Sequence, residues 1–584
     1  MRLNILKGGV FLGLLILTAG LFDTQVLKTG YYRNLSENNR IRLISLEAPR
    51  GRVLDRSGRI LATNRPAYNL VATPEDVTPE VYPELAKLLN VSEKVIRERM
   101  AAEREYPFAP VVLAKDISKR LLFRIEELRP ELAGVSIQTD WIRSYPYGEI
   151  ASHIIGYLGK INQKEYQNSD RERYGFNALI GRTGIEKFFD ERLRGWRGGR
   201  QVEVNARGEL IRVVAEKAAV PGEDITLAVD LEFQKKLTDL ITGKKATIAF
   251  LDLKTNELMA LVSSPAFDPN VFVAPGQEKA RLEFLKATDS PLMDRGISAT
   301  YPPGSVFKLV TALAALESGK ITPSTTFNCP GYFRLGRKSR IFHCWNEHGH
   351  GRMDLYRALE RSCNVYFYNV GRLVGPEALA RMARELGFGQ TFQLELTNLA
   401  PGLVPDSVWK KNRLKEQWYP GETLNLAVGQ GYLLVSPLQV LRLAAIIAKN
   451  GEWVEPKILR DFQESSPSPE KRIAIHKQNL KILRQGMLKV VQSDYGTGQL
   501  ARVDFDLLAG KTGTAQVPPR DPHAWMTGFF PYNDPQIAFV VLIEHGGSGG
   551  ITAARIVKQA LQIWKETYHS QDGTFQPLQS PTMV

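Results

Sequence analysis

Tyr301-Pro302-Pro303-Gly304-Ser305-Val306-Phe307-Lys308 closes a loop with two prolines and a glycine and runs into the apolar stretch Leu309 to Leu316. A helix is expected from about Val306 to Ser318, with Gly319 as its stop signal. Residues three apart share a helix face, so Lys308 is expected beside Ser305 near the amino end. A serine hydroxyl is a poor nucleophile at neutral pH, and a lysine desolvated by apolar neighbours can lose its proton and act as its base. The helix amino end also favours negative charge developing nearby. Ser-x-x-Lys alone says little: Ser468-Pro469-Glu470-Lys471 repeats it in a Pro/Ser-rich loop, while Ser36-Glu37-Asn38 and Lys28-Thr29-Gly30 imitate its usual companions. Order and context carry the information. Ser305/Lys308 is followed by Ser362-Cys363-Asn364 and then by Lys511-Thr512-Gly513-Thr514 within a strand-like run, the ordered set of a serine acyl-transferase. Without that order, Ser305 would read as a helix-start serine, Ser362 and Asn364 as turn residues, and Lys511 to Gly513 as a strand end.

The chain's three cysteines, Cys329, Cys344 and Cys363, fall in one short window with His350 among them. Three thiolates and an imidazole suffice for tetrahedral zinc, although the spacing is not that of a zinc finger. A Cys329–Cys344 disulfide with Cys363 left as a buried thiol is the alternative, and His343 and His348 compete with His350 as ligands. Strand-like alternation through Ser362-Cys363-Asn364 turns Cys363 away from the catalytic side, so a metal there would be structural.

These residues need elements to position them. A chain of 584 residues, 43% hydrophobic and 24% charged, exceeds a single compact core and reads as two or three globular domains. Arg2 and Lys7 precede an apolar run from Gly8 to Phe22, which Val26 and Leu27 extend past Asp23. No small-x-small cleavage site follows, so an uncleaved anchor is expected, with Met1 inside and the rest outside. The segment from Pro49 to Ala62 reads as a hairpin, Thr78 to Leu132 as helical, and Gly134 to Thr139, Gln201 to Val214 and Ile225 to Val229 as strands. A helix over Asp230 to Thr242 then leads into the hairpin Ala246 to Leu253 and Glu257 to Ser263. Strands return at Leu507 to Val517, Ala524 to Phe530 and Gln536 to Glu544, and a helix over Thr552 to Tyr568 closes the domain. Strands at both ends with helices between predict an α+β domain whose first and last strands pair. The net charge of +14 fits several anionic partners, but no Cys/His finger, Walker loop or aromatic platform points to nucleic acid.

With these residues in view, the chain resembles the class B penicillin-binding proteins, and among them the elongation-type branch. The resemblance rests on the Pro49 to Ala62 segment, Ser263-Ser264-Pro265-Ala266-Phe267-Asp268-Pro269-Asn270, Tyr301 to Lys308, Gly349-His350-Gly351, and Val428-Gly429-Gln430-Gly431-Tyr432. It implies a transmembrane anchor over 1–27, a non-catalytic pedestal or dimerisation domain over 28–240 with a helical head at about 70–140, a transpeptidase domain over 241–570 built on an antiparallel sheet flanked by helices, and a loose tail over 571–584. It implies that Ser305 attacks the penultimate D-Ala of a stem peptide while Lys308 takes its proton. Ser362 would relay a proton, Asn364 would hold substrate and Lys308, and Lys511 would supply positive potential. Thr512, Gly513 and Thr514 would bind the substrate, the Ser305 and Thr514 N–H groups forming the oxyanion hole. Catalysis would need no cofactor. Implied partners are stem peptides on lipid-linked nascent glycan, β-lactams, a SEDS-type glycosyltransferase similar to RodA, and a scaffold similar to MreC. The implied place is the bacterial inner membrane, catalytic domain on the periplasmic side, with D,D-carboxypeptidation as a side activity. The rival readings are a β-lactamase or β-lactam sensor, and a scaffold with a vestigial site.

Overall fold

The computed structural model describes residues 2–30, 41–103, 110–171, 173–175, 178–204, 210–336, 340–460 and 472–569. The first helix, α1 (Arg2–Phe22), continues as a wider turn over Asp23–Leu27. Its apolar stretch Lys7–Leu27 has 21 residues and is uncovered by the rest of the chain. At about 1.5 Å per residue it is long enough for the hydrocarbon layer, and it fits a single-pass membrane anchor. Asp23, which interrupts the apolar run, is paired with Lys28 at 2.7 Å.

Two long strands organise the next region: β1 (Ile60–Ala72) pairs antiparallel with β2 (Val135–Ser144), from Thr63 opposite Ser144 to Ala72 opposite Val135. Helices over Val81–Leu89, Glu93–Glu103 and Lys119–Glu127 form a small head whose core includes Leu85, Ile96 and Ile125. The expected all-helical stretch is broken by a strand, Val111–Ala114, on the other edge of β1. Its Val-Val-Leu-Ala alternates buried and half-buried, a pattern that suits a pleated edge better than a helix. The single strand expected over Gln201 to Val214 is instead a hairpin, Gly198–Val204 with Leu210–Lys217.

The Pro49 to Ala62 segment does more than turn. Arg50 reaches Glu186 and Asp190, each at 2.9 Å, and Arg143 of β2 meets the other Glu186 oxygen at 2.6 Å. Glu186 is fully buried, and breaking such a pair by removing one partner strands the other charge at a cost of about 3–5 kcal/mol. Gly51 lets the backbone pass: a Cβ there would lie 1.8 Å from the Glu223 carbonyl oxygen.

The second half of the chain begins with α2 (Leu231–Ile241), capped by Asp230. Five strands make its sheet: β3 (Ala246–Asp252) and β4 (Leu258–Ser264) from the start of the domain, and three more from its end. Between them the chain forms α3 (Lys308–Glu317), the short hairpin strands β5 (Tyr332–Arg334) and β6 (Ile341–His343), α4 (Asn364–Val374), α5 (Pro437–Ala448) and α6 (Lys477–Gln492). The closing elements are β7 (Ala509–Val517), β8 (Arg520–Phe530), β9 (Ile537–Ile543) and α7 (Ala554–Tyr568). The order is β4-β3-β9-β8-β7 with every neighbour antiparallel, so the first and last strands pair as expected, Ala246 opposite Ile543. One face packs on α2 and α7 through Phe233, Phe250 and Trp564. The other packs on α5, every residue of which is buried; its two polar residues are paired, Gln439 with the Gln390 and Pro401 carbonyls and Arg442 with Glu455. β7 lies at the sheet's end, so its outer backbone edge faces the cleft. The expected tail after 570 and the decoys Ser36 to Asn38 and Ser468 to Lys471 lie outside the described residues.

Candidate active site

Ser305 sits in a 3-10 turn, Gly304–Phe307, and α3 begins only at Lys308. The expectation of regular helix from Val306 is corrected by how tightly this turn is held. Tyr301 exchanges two 2.9 Å backbone hydrogen bonds with Val435, and Gly304 donates to the Gly429 carbonyl at 2.9 Å. Gly304 has φ +54 and Gly429 φ +74, and a Cβ on Gly429 would stand 2.1 Å from the Gly304 oxygen. Two backbones touch here, which gives the Val428-Gly429-Gln430 motif its reason. Upstream, Glu544 accepts from the Tyr301 hydroxyl at 2.7 Å and from Arg295 Nε at 2.8 Å, while Trp525 Nε1 donates to the Pro302 carbonyl at 3.1 Å.

Lys308 is fully buried. Its Nζ donates to Asn364 Oδ1 at 2.6 Å, to the Ser362 carbonyl at 2.7 Å and to Ser362 Oγ at 3.3 Å. Lys511 Nζ donates to the same hydroxyl at 3.0 Å and to the Thr512 carbonyl at 2.9 Å. Burial pushes Lys308 down from the usual lysine range to about 8, with the nearby thiols offsetting part of that fall. Burial, and then the charge of Lys308, holds Lys511 well below its usual range. Two cations therefore share one hydroxyl in a dry site, where losing a proton from one relieves the other.

Ser305, Ser362, Asn364, Thr512 and Thr514 all line one cleft of about 970 Å³. Alternation along β7 explains the division of labour: Thr512, Thr514 and Gln516 line the cleft, while Lys511 and Gly513 turn inward. Gly513 is confined, since a Cβ would lie 3.0 Å from the Pro303 oxygen, Trp525 Cβ and Val306 Cγ2. Thr514 Oγ1 accepts from Gly549 N at 3.1 Å, and Thr512 Oγ1 is 2.7 Å from Thr497 Oγ1.

Cys363 faces away from the cleft as expected, for a different reason. There is no strand: Ser362 has φ +52 and Cys363 is the residue before the first turn of α4. This left-handed step, rather than pleating, sends Ser362 and Asn364 to the cleft and Cys363 inward. Cys329, Cys344 and Cys363 are buried and His350 is half-buried, with their donor atoms all within 4.8 Å of one another. His350 Nδ1 lies 3.6 Å from Cys329 Sγ and 3.5 Å from Cys344 Sγ. Three thiols and one imidazole gathered in this way are donors of the type that tetrahedral zinc takes. Cys363 donates to the other two sulfurs, which lowers Cys329 and Cys344 and raises Cys363. The three sulfurs are free thiols, and no Cys329–Cys344 disulfide is formed. His343 and His348 are exposed and outside the cluster.

Sequence reasoning missed several walls of the cleft: Trp345, Tyr368, Asn425, Thr497 and Ser548. No local signal marks them, since each comes from a different loop or helix. The β6 wall is tied to α4 because the His343 carbonyl accepts from Asn364 Nδ2 at 3.3 Å and from the Tyr368 hydroxyl at 3.2 Å.

Residues 246–562 match the penicillin binding protein transpeptidase domain family, and residues 45–227 the penicillin-binding protein dimerisation domain family. The chain is 32% identical over 588 residues to a peptidoglycan D,D-transpeptidase MrdA of Acinetobacter baumannii, covering 96% of this chain and 87% of that one. Its structure superposes on a complex between penicillin-binding protein 2 and MreC from Helicobacter pylori with a TM-score of 0.80, at 29% identity over 90% of this chain and 99% of that one. A structure described as structural coordination of polymerization and crosslinking by a peptidoglycan synthase complex gives a TM-score of 0.71 at 30% identity, covering 96% and 98%.

Proposed function

The chain belongs to the penicillin-binding protein 2 family and is a peptidoglycan D,D-transpeptidase of cell elongation; from that premise we propose that Ser305 is its acylated nucleophile and Lys308 the base. The observation that carries this reading is that both lysines donate to the Ser362 hydroxyl, Lys308 at 3.3 Å and Lys511 at 3.0 Å, and Lys308 to Asn364 at 2.6 Å, with Ser362 and Asn364 lining the same cleft as Ser305.

Ser305 Oγ attacks the carbonyl carbon of the penultimate D-Ala and gives its proton to neutral Lys308. The N–H groups of Ser305 and Thr514 polarise the carbonyl oxygen, and donors of this kind contribute about 3–4 kcal/mol each to acyl transfer. As the tetrahedral centre collapses, the C–N bond to the terminal D-Ala breaks and the leaving amine takes a proton through Ser362. The freed carboxylate end is held by the Thr512 and Thr514 hydroxyls in the field of Lys511. The exposed edge of β7 offers backbone partners to an extended stem peptide. An acceptor amine then attacks the ester, loses its proton through the same relay and restores Ser305. Water in place of that amine gives carboxypeptidation. A β-lactam enters as a substrate whose leaving group stays tethered.

Fluorescent penicillin tests the reading: a label on purified protein that persists for hours supports a transpeptidase. Rapid release would make this a β-lactamase, and no labelling at all would leave a vestigial scaffold.

Cys329, Cys344, His350 and Cys363 are proposed to hold one structural zinc ion. Bound there, the metal supplies no catalytic step; it clamps the backbone on either side of Ser362 and Asn364. The division near residue 240 into pedestal and catalytic domain is supported by the two family matches that flank it. We propose that the pedestal engages an MreC-like scaffold, which the penicillin-binding protein 2–MreC complex from Helicobacter pylori supports, and that the anchor works beside a RodA-like glycosyltransferase, a reading supported only in kind by the synthase complex that couples polymerization to crosslinking. Arg2 and Lys7 favour an amino terminus in the cytoplasm and a catalytic domain in the periplasm. Amino-terminal sequencing of protein from membranes should begin at Met1 or Arg2; a start beyond residue 20 would mean the segment is cleaved.

A further inference from the structure

The cleft lined by Thr512 and Thr514 is lined also by Arg340 and by β6 of the β5–β6 hairpin, in which Tyr332 pairs with His343 and Arg334 with Ile341. From Gly331 to Trp345 the sequence carries Arg334, Arg337, Lys338 and Arg340 and no aspartate or glutamate. Arg340 lines the cleft, is exposed, and has no carboxylate partner among the described residues. Among the described residues, no acidic side chain lines the cleft. An ordinary surface arginine is surrounded by charges of both signs; this one faces a site with only basic and neutral walls. A guanidinium so placed is a fork for a carboxylate.

We propose that Arg340 reads a second carboxylate on the donor stem peptide, one lying upstream of the scissile D-Ala–D-Ala bond, so that the enzyme prefers donors in which this group is a free acid over donors in which it is a carboxamide. The inference rests on the reading of Ser305 given above, because that reading commits the terminal carboxylate to the Thr512 and Thr514 side. A carboxylate on the Arg340 side must then belong to an upstream residue. β6 is well placed to hold such a group, since its His343 carbonyl is bonded to Asn364 and Tyr368 of α4. Acylation at Ser305 and recognition at Arg340 thereby share one rigid support.

The test uses the full chain and two soluble donor peptides ending in D-Ala-D-Ala, identical except that one upstream group is a carboxylate in the first and a carboxamide in the second. Acylation of Ser305 is followed by intact-protein mass spectrometry across donor concentrations. The carboxylate donor should acylate about tenfold more efficiently, the equivalent of one partly solvated charge-assisted hydrogen bond. The difference should lie in half-saturation rather than in the limiting rate, and should shrink as salt is raised from low ionic strength. Arg340→Gln should bring the ratio close to one, and Arg340→Lys should keep part of it. Equal acylation by the two donors in wild-type protein overturns the proposal, as does a preference that survives Arg340→Gln. If Arg340→Gln does not fold, a wild-type ratio insensitive to salt overturns it equally. A preference seen only when the carboxylate is on the acceptor amine also overturns the donor assignment. Wild-type protein labelled by neither peptide nor fluorescent penicillin would refute the Ser305 reading itself, whereas penicillin labelling with equal peptide rates removes the subsite alone.

Discussion

If Lys308 is the base that deprotonates Ser305, acylation must follow the neutral fraction of that lysine. Burial brings it from 10.5 to about 8. At pH 7 about a tenth of the protein then has neutral Lys308, and at pH 9 about nine-tenths, so the acylation rate constant should rise roughly tenfold between them and level off. An unshifted lysine would give about a hundredfold rise over the same interval and no plateau. Rate constants for a fluorescent penicillin, measured by quenched-flow from pH 6 to 10, separate the two shapes. The Asn364 oxygen, 2.6 Å from Nζ, provides an internal control. Asn364→Asp places an anion against the ammonium, which favours the charged form and should move the midpoint up by about 1–3 pH units. The same shift affects stability. A lysine depressed on folding penalises the native state fully below about pH 8, and the penalty fades as pH climbs towards 10.5. Lys308→Met should therefore flatten a rise in stability of up to about 3 kcal/mol across that window. A flat acylation profile from pH 6 to 9, or a midpoint unmoved by Asn364→Asp, would refute the assignment of Lys308.

Ser305→Ala should abolish covalent penicillin binding while changing unfolding free energy by less than about 1 kcal/mol, because this half-buried hydroxyl contributes little packing; stoichiometric labelling of the variant would remove Ser305 from its role. Cys329→Ser or chelation should lower the melting temperature and slow acylation, and protein purified without chelator should carry about one equivalent of zinc by elemental analysis. Less than a tenth of an equivalent, with a Cys329–Cys344 disulfide in the mass spectrum, would refute the metal. Gly513→Ala inserts a methyl against Pro303, Val306 and Trp525, which should cost about 1–3 kcal/mol in denaturant melts and at least tenfold in acylation as β7 shifts from Ser305; wild-type rates in that variant would show the contact to be compliant.

Wherever the chemistry depends on local order, the sequence was readable. The strand pair at the domain's start and the three strands at its end follow from short runs with clear punctuation, and the structure brings Ser305, Ser362, Asn364, Thr512 and Thr514 together on one cleft. What escaped was set by tertiary contact. The strand at Val111–Ala114 sits in a charged, helix-like neighbourhood and becomes a strand only because β1 has a free edge to offer it. Ser305 lies in a 3-10 turn because Val435, Gly429 and Trp525 grip the residues before it, none of them near in sequence. Likewise Glu544, which orders Tyr301 and Arg295, is separated from both by more than two hundred residues. Cys363 was assigned the correct direction from an incorrect local geometry, since a helix start and a left-handed serine imitate the alternation of a strand.

That left-handed serine sets stability against activity. At φ +52, Ser362 occupies a conformation that costs a residue with a Cβ about 1–2 kcal/mol and costs glycine almost nothing. Yet its hydroxyl is the one group that both lysines address. Backbone preference therefore pulls this position towards glycine and chemistry holds it at serine. A library sorted only for heat resistance would be drawn to replace it, and the survivors would be sturdier proteins without the hydroxyl proposed as the proton relay. Engineering of this enzyme for robustness must accordingly score turnover alongside melting, with position 362 held constant from the outset.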